Sequence, residues 1–215
     1  MERPRVAIII PAYNESATIA DVVKAAKAHG DVIVVDDSSS DETPSLAAAA
    51  GAIVVRHEVN RGYDGALNSG FSEAAGLKYD FLITLDADGQ HDPALIEKYV
   101  DLSARGIPLV LGVRDSKARF AERVFGLYTR LRYGISDPLC GMKGYDRRVF
   151  ESVGHFDSYG SIGTELMLRA VSKGFTFQQV PFHVRERADK PRFGRLFRAN
   201  IRILEAMFKW MLAKS

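Results

Sequence analysis

The chain has 215 residues, 47% of them hydrophobic and 26% charged, which is ordinary for a single soluble globular domain. No stretch approaches the roughly 18 consecutive apolar residues of a membrane-spanning helix, and the apolar run 6–10 is too short for a signal peptide. Cys140 is the one cysteine, so no internal disulfide can form and we expect a reducing, cytoplasmic environment.

Short β-rich runs alternate with segments of helical periodicity along the first 133 residues. Such alternation predicts an α/β fold with a largely parallel sheet covered by helices on both faces. In sheets of this kind, ligands bind beyond the carboxyl ends of the strands. The predicted strands are 6–10, 32–35, 53–55, 81–85 and 109–113, and the predicted helices are 19–30, 43–51, a segment reaching 75, 93–104 and 117–133.

The most informative stretch is 81–93, where an apolar strand ends abruptly at Asp86-Ala87-Asp88-Gly89. In an extended segment Asp86 and Asp88 point the same way, because side chains repeat every second residue. Oxygen ligands of this kind favour Mg²⁺ or Mn²⁺ over zinc. The two acids predict a divalent metal site at the end of the strand, although two acids before a turn also occur in ordinary solvated loops.

Polar residues follow the other predicted strands at the same edge of the sheet. Tyr13 could stack on a base, and Glu15 or Asp37 could accept a hydrogen bond from a base or a ribose hydroxyl. The acids after the second strand could instead cap the helix that follows. Arg114 follows the fifth strand into the same cleft. Together these residues predict a site for a nucleotide with a diphosphate.

The C-terminal segment 195–215 is predicted to be an amphipathic helix with a basic stripe and a broad apolar face that includes Trp210. Such a helix suits a membrane interface, and the alternative is a helix docked on the sheet or on a second subunit. The preceding segment is also basic, which predicts an anionic partner. The basic residues from 185 to 202 are Arg185, Arg187, Lys190, Arg192, Arg195, Arg198 and Arg202.

Several motifs, in order along the chain, resemble the family-two glycosyltransferases, and within them the polyprenyl-phosphate mannosyl- or glucosyltransferases. The resemblance extends from about residue 6 to 194 and rests on the ordered set, since each motif alone is common. The motifs are Pro-Ala-Tyr-Asn-Glu at 11–15, Val-Asp-Asp-Ser-Ser-Ser-Asp-Glu-Thr at 35–43, Asn-x-Gly-x-x-x-Ala-x-x-x-Gly at 60–70, Asp-Ala-Asp-Gly-Gln-His at 86–91, Gly-x-Arg at 112–114 and Asp-Pro-Leu-Cys-Gly-Met-Lys at 137–143.

The resemblance implies a glycosyltransferase A fold, which is Rossmann-like, and inverting transfer of a hexose from a nucleoside diphosphate sugar. It implies a metal at Asp86, Asp88 and Gln90, with Asp88, Arg114, Glu165 and Arg187 as catalytic residues. Arg114 and Arg123 are the expected contacts of an acceptor phosphate. The expected nucleotide-sugar contacts are Pro11, Ala12, Tyr13, Glu15, Val35, Asp37, Asp86, Ala87 and Lys190.

Two of these expectations are open at the level of the sequence. Glu165 could act on the acceptor side, or it could cap its helix or pair with Arg169. After Arg187 the usual Arg-x-x-Gly-x-Ser-Lys pattern is absent, so Lys190 or Arg192 would supply the charge over the diphosphate.

The sequence therefore predicts a catalytic domain at 1–194 and a C-terminal helix at 195–215. The predicted enzyme needs Mg²⁺ or Mn²⁺ and uses a GDP- or UDP-hexose and a polyprenyl phosphate. It is expected on the cytoplasmic face of the membrane, as a possible homo-oligomer or with a membrane protein partner, and without nucleic acid. The alternatives are a haloacid-dehalogenase-like phosphatase and a sugar-nucleotide-binding protein without turnover.

Overall fold

The computed structural model describes residues 3–89, 91–115, 119–184 and 196–213, with the side chains of 196–198 left out. These residues form a seven-stranded sheet flanked by helices. The strands are β1 Val6–Ala12, β2 Asp31–Asp36, β3 Ile53–Arg56, β4 Phe81–Thr84, β5 Leu109–Arg114, β6 Lys143–Asp146 and β7 Phe177–Phe182. The helices are α1 Ile19–Lys27, α2 Thr43–Ala49, α3 Gly62–Gly76, α4 Leu95–Ala104, α5 Phe120–Tyr133, α6 Arg147–Val153, α7 Glu165–Ser172 and α8 Leu196–Ala213.

The strand order is β3-β2-β1-β4-β6-β5-β7. Strands β1 to β4 are mutually parallel, and β5 is parallel to β7. After β1 the chain adds β2 and β3 on one side and then returns to place β4 on the other. This reversal opens a crevice at the carboxyl ends of β1 and β4, where α/β sheets bind ligands. The mostly parallel α/β sheet predicted from the sequence is confirmed.

The structure extends β1 and, beyond residue 133, contains elements that the sequence pattern did not predict, namely β6, α6 and β7. Strand β1 continues through Pro11 to Ala12, because the ladder with β4 ends at Ile9 and the missing N–H of proline is not needed there. Strand β6 was not predicted, since Lys143-Gly144-Tyr145-Asp146 has no β-rich pattern. It inserts antiparallel between β4 and β5 and brings the preceding loop to the end of β4.

The core lies in two layers, one on each face of the sheet. Alternate residues of β1 point to opposite layers, Ile9 to one and Ile8 and Ile10 to the other. Helices α1 and α4 cover the layer that contains Ile8 and Ile10. Helices α3, α5, α7 and α8 cover the layer that contains Ile9. This burial on both faces explains why the central strands are continuous apolar runs.

Helix α8 docks on α5 through part of its apolar surface. Nε1 of Trp210 donates to the hydroxyl of Tyr133 at 3.0 Å, and Asn200 Oδ1 accepts from the backbone N–H of Ala121 at 3.1 Å. These two contacts join both ends of the helix pair, so α5 and α8 run side by side. The side chains of α8 buried in the core are Ile203, Ala206, Met207 and Trp210.

In the described part of the chain, no helix combines the length and apolarity needed to cross a bilayer.

Candidate active site

The loops after β1 and β2 are fastened to each other by short polar side chains. Asn14 has a left-handed backbone (φ 57°), which asparagine tolerates. Its Oδ1 accepts from the backbone N–H of Ser40 at 2.9 Å, and its own N–H donates to Ser39 Oγ at 2.9 Å. This places the exposed ring of Tyr13 at the rim of the crevice, with Glu15 partly buried behind it.

Asp41 caps the same pair of loops. Its carboxylate accepts from the backbone N–H of Thr43 at 3.0 Å and from the backbone N–H of Ser16 at 3.2 Å. Desolvation opposes ionisation, but hydrogen bonds from Thr43 and Ser16 outweigh it and lower the pKa of Asp41 to about 2. This part of the site is therefore preorganised by charge-assisted hydrogen bonds.

Asp37 is buried at the end of β2 and is used by the protein itself. Its Oδ1 accepts from the backbone N–H of Arg61 at 2.8 Å, and its Oδ2 from that of Gly62 at 2.7 Å. The Nδ1 of His57 lies 2.7 Å from Oδ1, and the Nε2 of His57 lies 2.8 Å from the Oγ of Ser69. This geometry ties the start of α3 to β2 and uses both oxygens of Asp37 for that purpose.

The carboxylate of Asp86 lies at the carboxyl end of β4, in the crevice. About 32% of its side chain is exposed. The hydroxyl of Tyr63 lies 3.5 Å from Oδ1. On the other side, the backbone of Gly141 approaches so closely that a Cβ at that position would come within 2.0 Å of Oδ2. Thr84 Oγ1 holds this glycine by donating to its carbonyl at 2.5 Å.

The carboxylates at the end of β4 fit a hard divalent cation. The donors at Asp86 and Asp88 are oxygens, and Nδ1 of buried His91 lies 3.7 Å from Asp86 Oδ2 with no hydrogen-bond partner in the described part of the chain. No three His, Cys, Asp or Glu side chains among the described residues are grouped closely enough to hold a metal ion. A cation here would therefore take most of its ligands from water and a diphosphate, as Mg²⁺ commonly does.

Arg114 lies at the end of β5 within a compact group of charges. Its Nε and Nη2 donate to the two oxygens of Asp137 at 2.8 and 2.9 Å. Its Nη2 also donates to Glu122 at 3.3 Å, and Glu122 accepts from Arg119 at 3.0 Å. Both carboxylates are buried, whereas 20% of the Arg114 side chain is exposed. The clamp fixes the loop after α5 against β5 and leaves part of the Arg114 side chain exposed.

Glu165, predicted on the acceptor side, is fully buried at the start of α7. Its oxygens accept from the backbone N–H of Ser158 and from Nε of Arg169, both at 2.6 Å. Burial alone would raise the pKa of Glu165, but hydrogen bonds, beginning with that of His155, lower it below its usual value. A general base needs the opposite shift. This geometry favours the pairing with Arg169 that the sequence left open, and it does not favour a catalytic role.

The remaining predicted residues differ in position. Ala12, Val35 and Ala87 are buried in the walls of the crevice, and Pro11 is half-buried. Arg123 is exposed on α5 and directly follows Glu122 of the Arg114 cluster. Gln90, Arg187, Lys190 and Arg192 lie outside the described residues.

Sequence reasoning missed three residues around Asp86: Tyr63, Gly141 and Lys143. All three lie in motifs that carried the family resemblance, but only the fold brings those motifs together. A second missed contact joins α3 to the loop before α7, where Asp64 accepts from the backbone N–H of Gly163 at 2.7 Å. That loop follows β6, which the sequence pattern did not reveal.

The sheet has the strand order of the glycosyltransferase A fold, and the partly exposed carboxylate of Asp86 lies at the carboxyl end of β4. The model of the family "Glycosyl transferase family 2" matches residues 7–154. The chain belongs to this family, which favours the transferase prediction over the phosphatase.

Two relatives extend the similarity beyond the family model. The chain is 31% identical to an uncharacterized protein of Methanocaldococcus jannaschii over 84% of this chain and 82% of that protein. It is 30% identical to the polyprenol monophosphomannose synthase of Mycolicibacterium smegmatis over 95% of this chain and 85% of that protein.

Among solved structures, the chain is similar to glucosyl-3-phosphoglycerate synthase from Mycobacterium tuberculosis in complex with Mn²⁺, UDP and glucosyl-3-phosphoglycerate. The TM-score is 0.75, over 95% of this chain and 80% of that one, at 24% identity. At this identity the likeness shows a shared fold.

Proposed function

We propose that this protein is an inverting glycosyltransferase that moves a hexose, mannose or glucose, from a GDP- or UDP-sugar to a polyprenyl phosphate. The observation that carries the proposal is the partly exposed Asp86 carboxylate at the switch point of the sheet, seated against Gly141 in a family-two chain. The name of the Mycolicibacterium relative, a polyprenol monophosphomannose synthase, supports the lipid phosphate as acceptor.

The donor would lie along the loops after β1 and β2. Tyr13 offers an exposed ring for the base, while Glu15 and the strand-end backbone around Ala12 and Val35 offer polar groups and a flat wall. Asp37 would contribute by holding the start of α3 in place. The carboxylates at the end of β4 would face the diphosphate across the bound cation.

Asp86 and Asp88, with Gln90, would hold Mg²⁺ or Mn²⁺ beside the diphosphate. When bound, the cation supplies positive charge to the leaving nucleoside diphosphate. Arg114 would add charge from the protein, since its guanidinium is already oriented by Asp137 and no reorganisation is needed during transfer. Arg187 and Lys190 are proposed to contribute from the segment after β7, and Arg123 to meet the acceptor phosphate.

In the proposed reaction, a phosphate oxygen of the acceptor attacks the anomeric carbon. The bond from that carbon to the diphosphate oxygen breaks, and the electron pair leaves with the nucleoside diphosphate. A phosphomonoester has a second pKa of about 6, so the attacking oxygen is already an anion near neutral pH. No general base is then required, which agrees with the lowered pKa of Glu165.

Transfer of a radiolabelled sugar from GDP-mannose and from UDP-glucose to a polyprenyl phosphate tests this proposal. We expect labelled lipid with one donor in the presence of Mn²⁺, and a loss of about 1,000-fold or more in Asp88→Asn, with the thermal midpoint unchanged. Nucleotide binding without product would instead identify the binding protein considered as an alternative. An active Asp88→Asn enzyme would contradict the metal assignment.

We also propose that the paired helices α5 and α8 rest on an anionic membrane surface, on the cytoplasmic side. Each helix carries three apolar residues at spacings of seven and then four residues, directly opposite its buried face. These six side chains are between 41% and 80% exposed, although most large apolar residues of the chain are buried. The six residues, called the outer stripe below, are Phe120, Leu127, Leu131, Ile201, Phe208 and Leu212.

Charge favours a lipid surface as the occupant of the outer stripe. Among the described side chains of the two helices, five exposed residues are basic and one, Glu205, is acidic. Basic residues beside an apolar face are typical of helices that lie in an anionic membrane interface. The exposed basic residues are Arg123, Arg130, Arg132, Arg202 and Lys209.

Sedimentation with phosphatidylglycerol vesicles tests the outer stripe. Leu127→Glu combined with Leu131→Glu should weaken vesicle binding at least about tenfold, because each leucine loses its apolar burial. Leu77→Glu, at a 41% exposed leucine on another part of the surface, is the matched control. Unchanged vesicle binding would contradict the proposal. A change only in oligomeric state would assign the stripe to a second copy of the chain.

A further inference from the structure

Lys143 is a buried cation that the proposed reaction does not yet use. It is the first residue of β6 and pairs with Thr84 in β4, two residues before Asp86. The residue is 3% exposed. Its Nζ donates to the carbonyl oxygens of Cys140 at 2.6 Å and Gly163 at 3.1 Å. Both acceptors are neutral, so these bonds satisfy the ammonium without cancelling its charge.

The two carbonyls belong to different loops at the acceptor side of the crevice. Cys140 precedes Gly141, whose backbone lies against the Asp86 carboxylate. Gly163 lies in the loop before α7, and its backbone N–H donates to Asp64 of α3. The ammonium of Lys143 is therefore the bridge between the loop that positions Asp86 and the loop that ends at α7.

The cost of this arrangement argues against a purely structural lysine. An ammonium removed from water loses several kcal/mol of hydration, which hydrogen bonds to two neutral carbonyls only partly restore. Burial lowers the pKa of Lys143, while the charges of Asp137 and Asp86 act in the opposite direction. The lysine thus lies within electrostatic reach of Asp86, and a buried group with a shifted pKa beside a cleft is a candidate for function.

We propose that Lys143 is a positioning residue for the transfer step: its ammonium fixes the loop of Gly141 against Asp86 and joins it to the acceptor-side loop. This inference rests on the proposed glycosyl transfer. It predicts that loss of the ammonium lowers turnover but does not lower the affinity for a divalent cation. Without the ammonium, the loop of Gly141, which orients Asp86, and the loop of Gly163 on the acceptor side lose their common anchor. The kcat of transfer therefore falls. The positive charge near Asp86 also disappears, so the affinity for a divalent cation does not fall.

The experiment compares Lys143→Met with Lys27→Met in the full chain. Methionine has nearly the same length as lysine and no charge. Lys27 is the matched control, because its Nζ also donates to a backbone carbonyl, that of Gly51 at 2.9 Å, in a part of the chain remote from the crevice. Four quantities are measured: the thermal midpoint, nucleotide affinity without metal, Mn²⁺ affinity with nucleotide present, and kcat and KM for transfer to polyprenyl phosphate.

For Lys143→Met we expect a thermal midpoint close to that of the wild type, because relief of the buried charge offsets the two lost hydrogen bonds, and an unchanged nucleotide affinity without metal. The affinity for Mn²⁺ should be equal or tighter, while kcat falls by about 100-fold, the scale of a small misplacement of groups at a reacting centre. Lys27→Met should leave kcat unchanged.

Two outcomes would overturn the inference. One is a kcat within threefold of the wild type. The other is a lower midpoint together with weaker Mn²⁺ binding, which would make Lys143 a structural residue whose loss disorders the site. The wild-type measurements separate this inference from the proposed function: a wild-type protein without nucleotide binding or transfer would refute the reaction itself.

Discussion

The two sides of the crevice are built differently. On the donor side, the loops after β1 and β2 are held by carboxylates and amides that accept from nearby backbone N–H groups, as at Asp37 and Asp41. On the acceptor side, cationic side chains hold the loops instead: Arg114 donates to the carboxylate of Asp137, and Lys143 donates to two backbone carbonyls. The donor side is thus a rigid frame in which the carboxylates of Asp37 and Asp41 already accept hydrogen bonds from the backbone. The acceptor side instead places the cations Arg114 and Lys143 at the end of β5 and the start of β6, where the proposed anionic acceptor would need positive charge.

The largest effect should come from breaking the frame at Asp37. Asp37→Ala removes the acceptor for two backbone N–H groups and for buried His57, so we expect a loss of about 3 kcal/mol in the free energy of unfolding. Urea denaturation measures this loss. Ser69→Ala, which removes only the partner of His57 Nε2, should cost about 1 kcal/mol.

The contrary result would be informative. If Asp37→Ala keeps its stability but loses nucleotide affinity, then the carboxylate contacts the ligand directly. The donor side would in that case be a set of ligand contacts, and the contrast between the two sides would fail.

The next effect concerns the boundary between the two sides, at Gly141. A Cβ there would come within 2.0 Å of Asp86 Oδ2, so Gly141→Ala must displace the carboxylate or the loop. We expect a loss of about 10- to 100-fold in kcat, since small misplacements at a reacting centre have effects of this size. Gly76→Ala, at the end of α3 with no neighbour within 4 Å of the added Cβ, is the control and should keep full activity. Full activity in Gly141→Ala would show that Asp86 can move without consequence.

A further effect is a pH dependence of stability at Asp64, which joins α3 to the acceptor side. Burial and then the charge of Asp157 raise the pKa of Asp64 from 3.8 to about 6, against hydrogen bonds from Gly163 and Ile162. Between these values the native state binds more protons than the unfolded state, so stability falls as pH rises from about 4 to 6. Asp64→Asn lacks this titration.

Urea midpoints at pH 4 and pH 7 check the prediction. The wild type should lose stability relative to Asp64→Asn at the higher pH. A constant difference between the two proteins across this range would contradict it.

The same contrast explains what could be predicted from the sequence. The donor side follows regular parallel strands, so the apolar runs located the loops that carry Tyr13, Glu15, Asp37 and Asp86. The partners of Asp37 could not be predicted, because whether a strand-end carboxylate meets a ligand or a backbone N–H depends on the path of the loop at 57–62.

The acceptor side was less predictable for a physical reason. Strand β6 has little β propensity and forms because β4 and β5 provide its partners. The Lys143 contacts and the Arg114 cluster depend on that insertion. In α8, the periodicity of the sequence predicted one broad apolar face. The packing divides that face into a buried part, which contains Trp210 and its neighbours, and an exposed part, which belongs to the outer stripe. Deleting α8 to test membrane binding would therefore also remove part of the core.

The most direct test of the central claim is calorimetric titration of the protein with GDP and with UDP, each with and without Mn²⁺, repeated on Asp88→Asn. The account predicts that one nucleotide binds more tightly with Mn²⁺ and that this gain disappears in Asp88→Asn, while the weaker binding without metal remains. If neither nucleotide binds, or if Mn²⁺ has the same effect in both proteins, the crevice at the end of β4 is not a metal-assisted donor site.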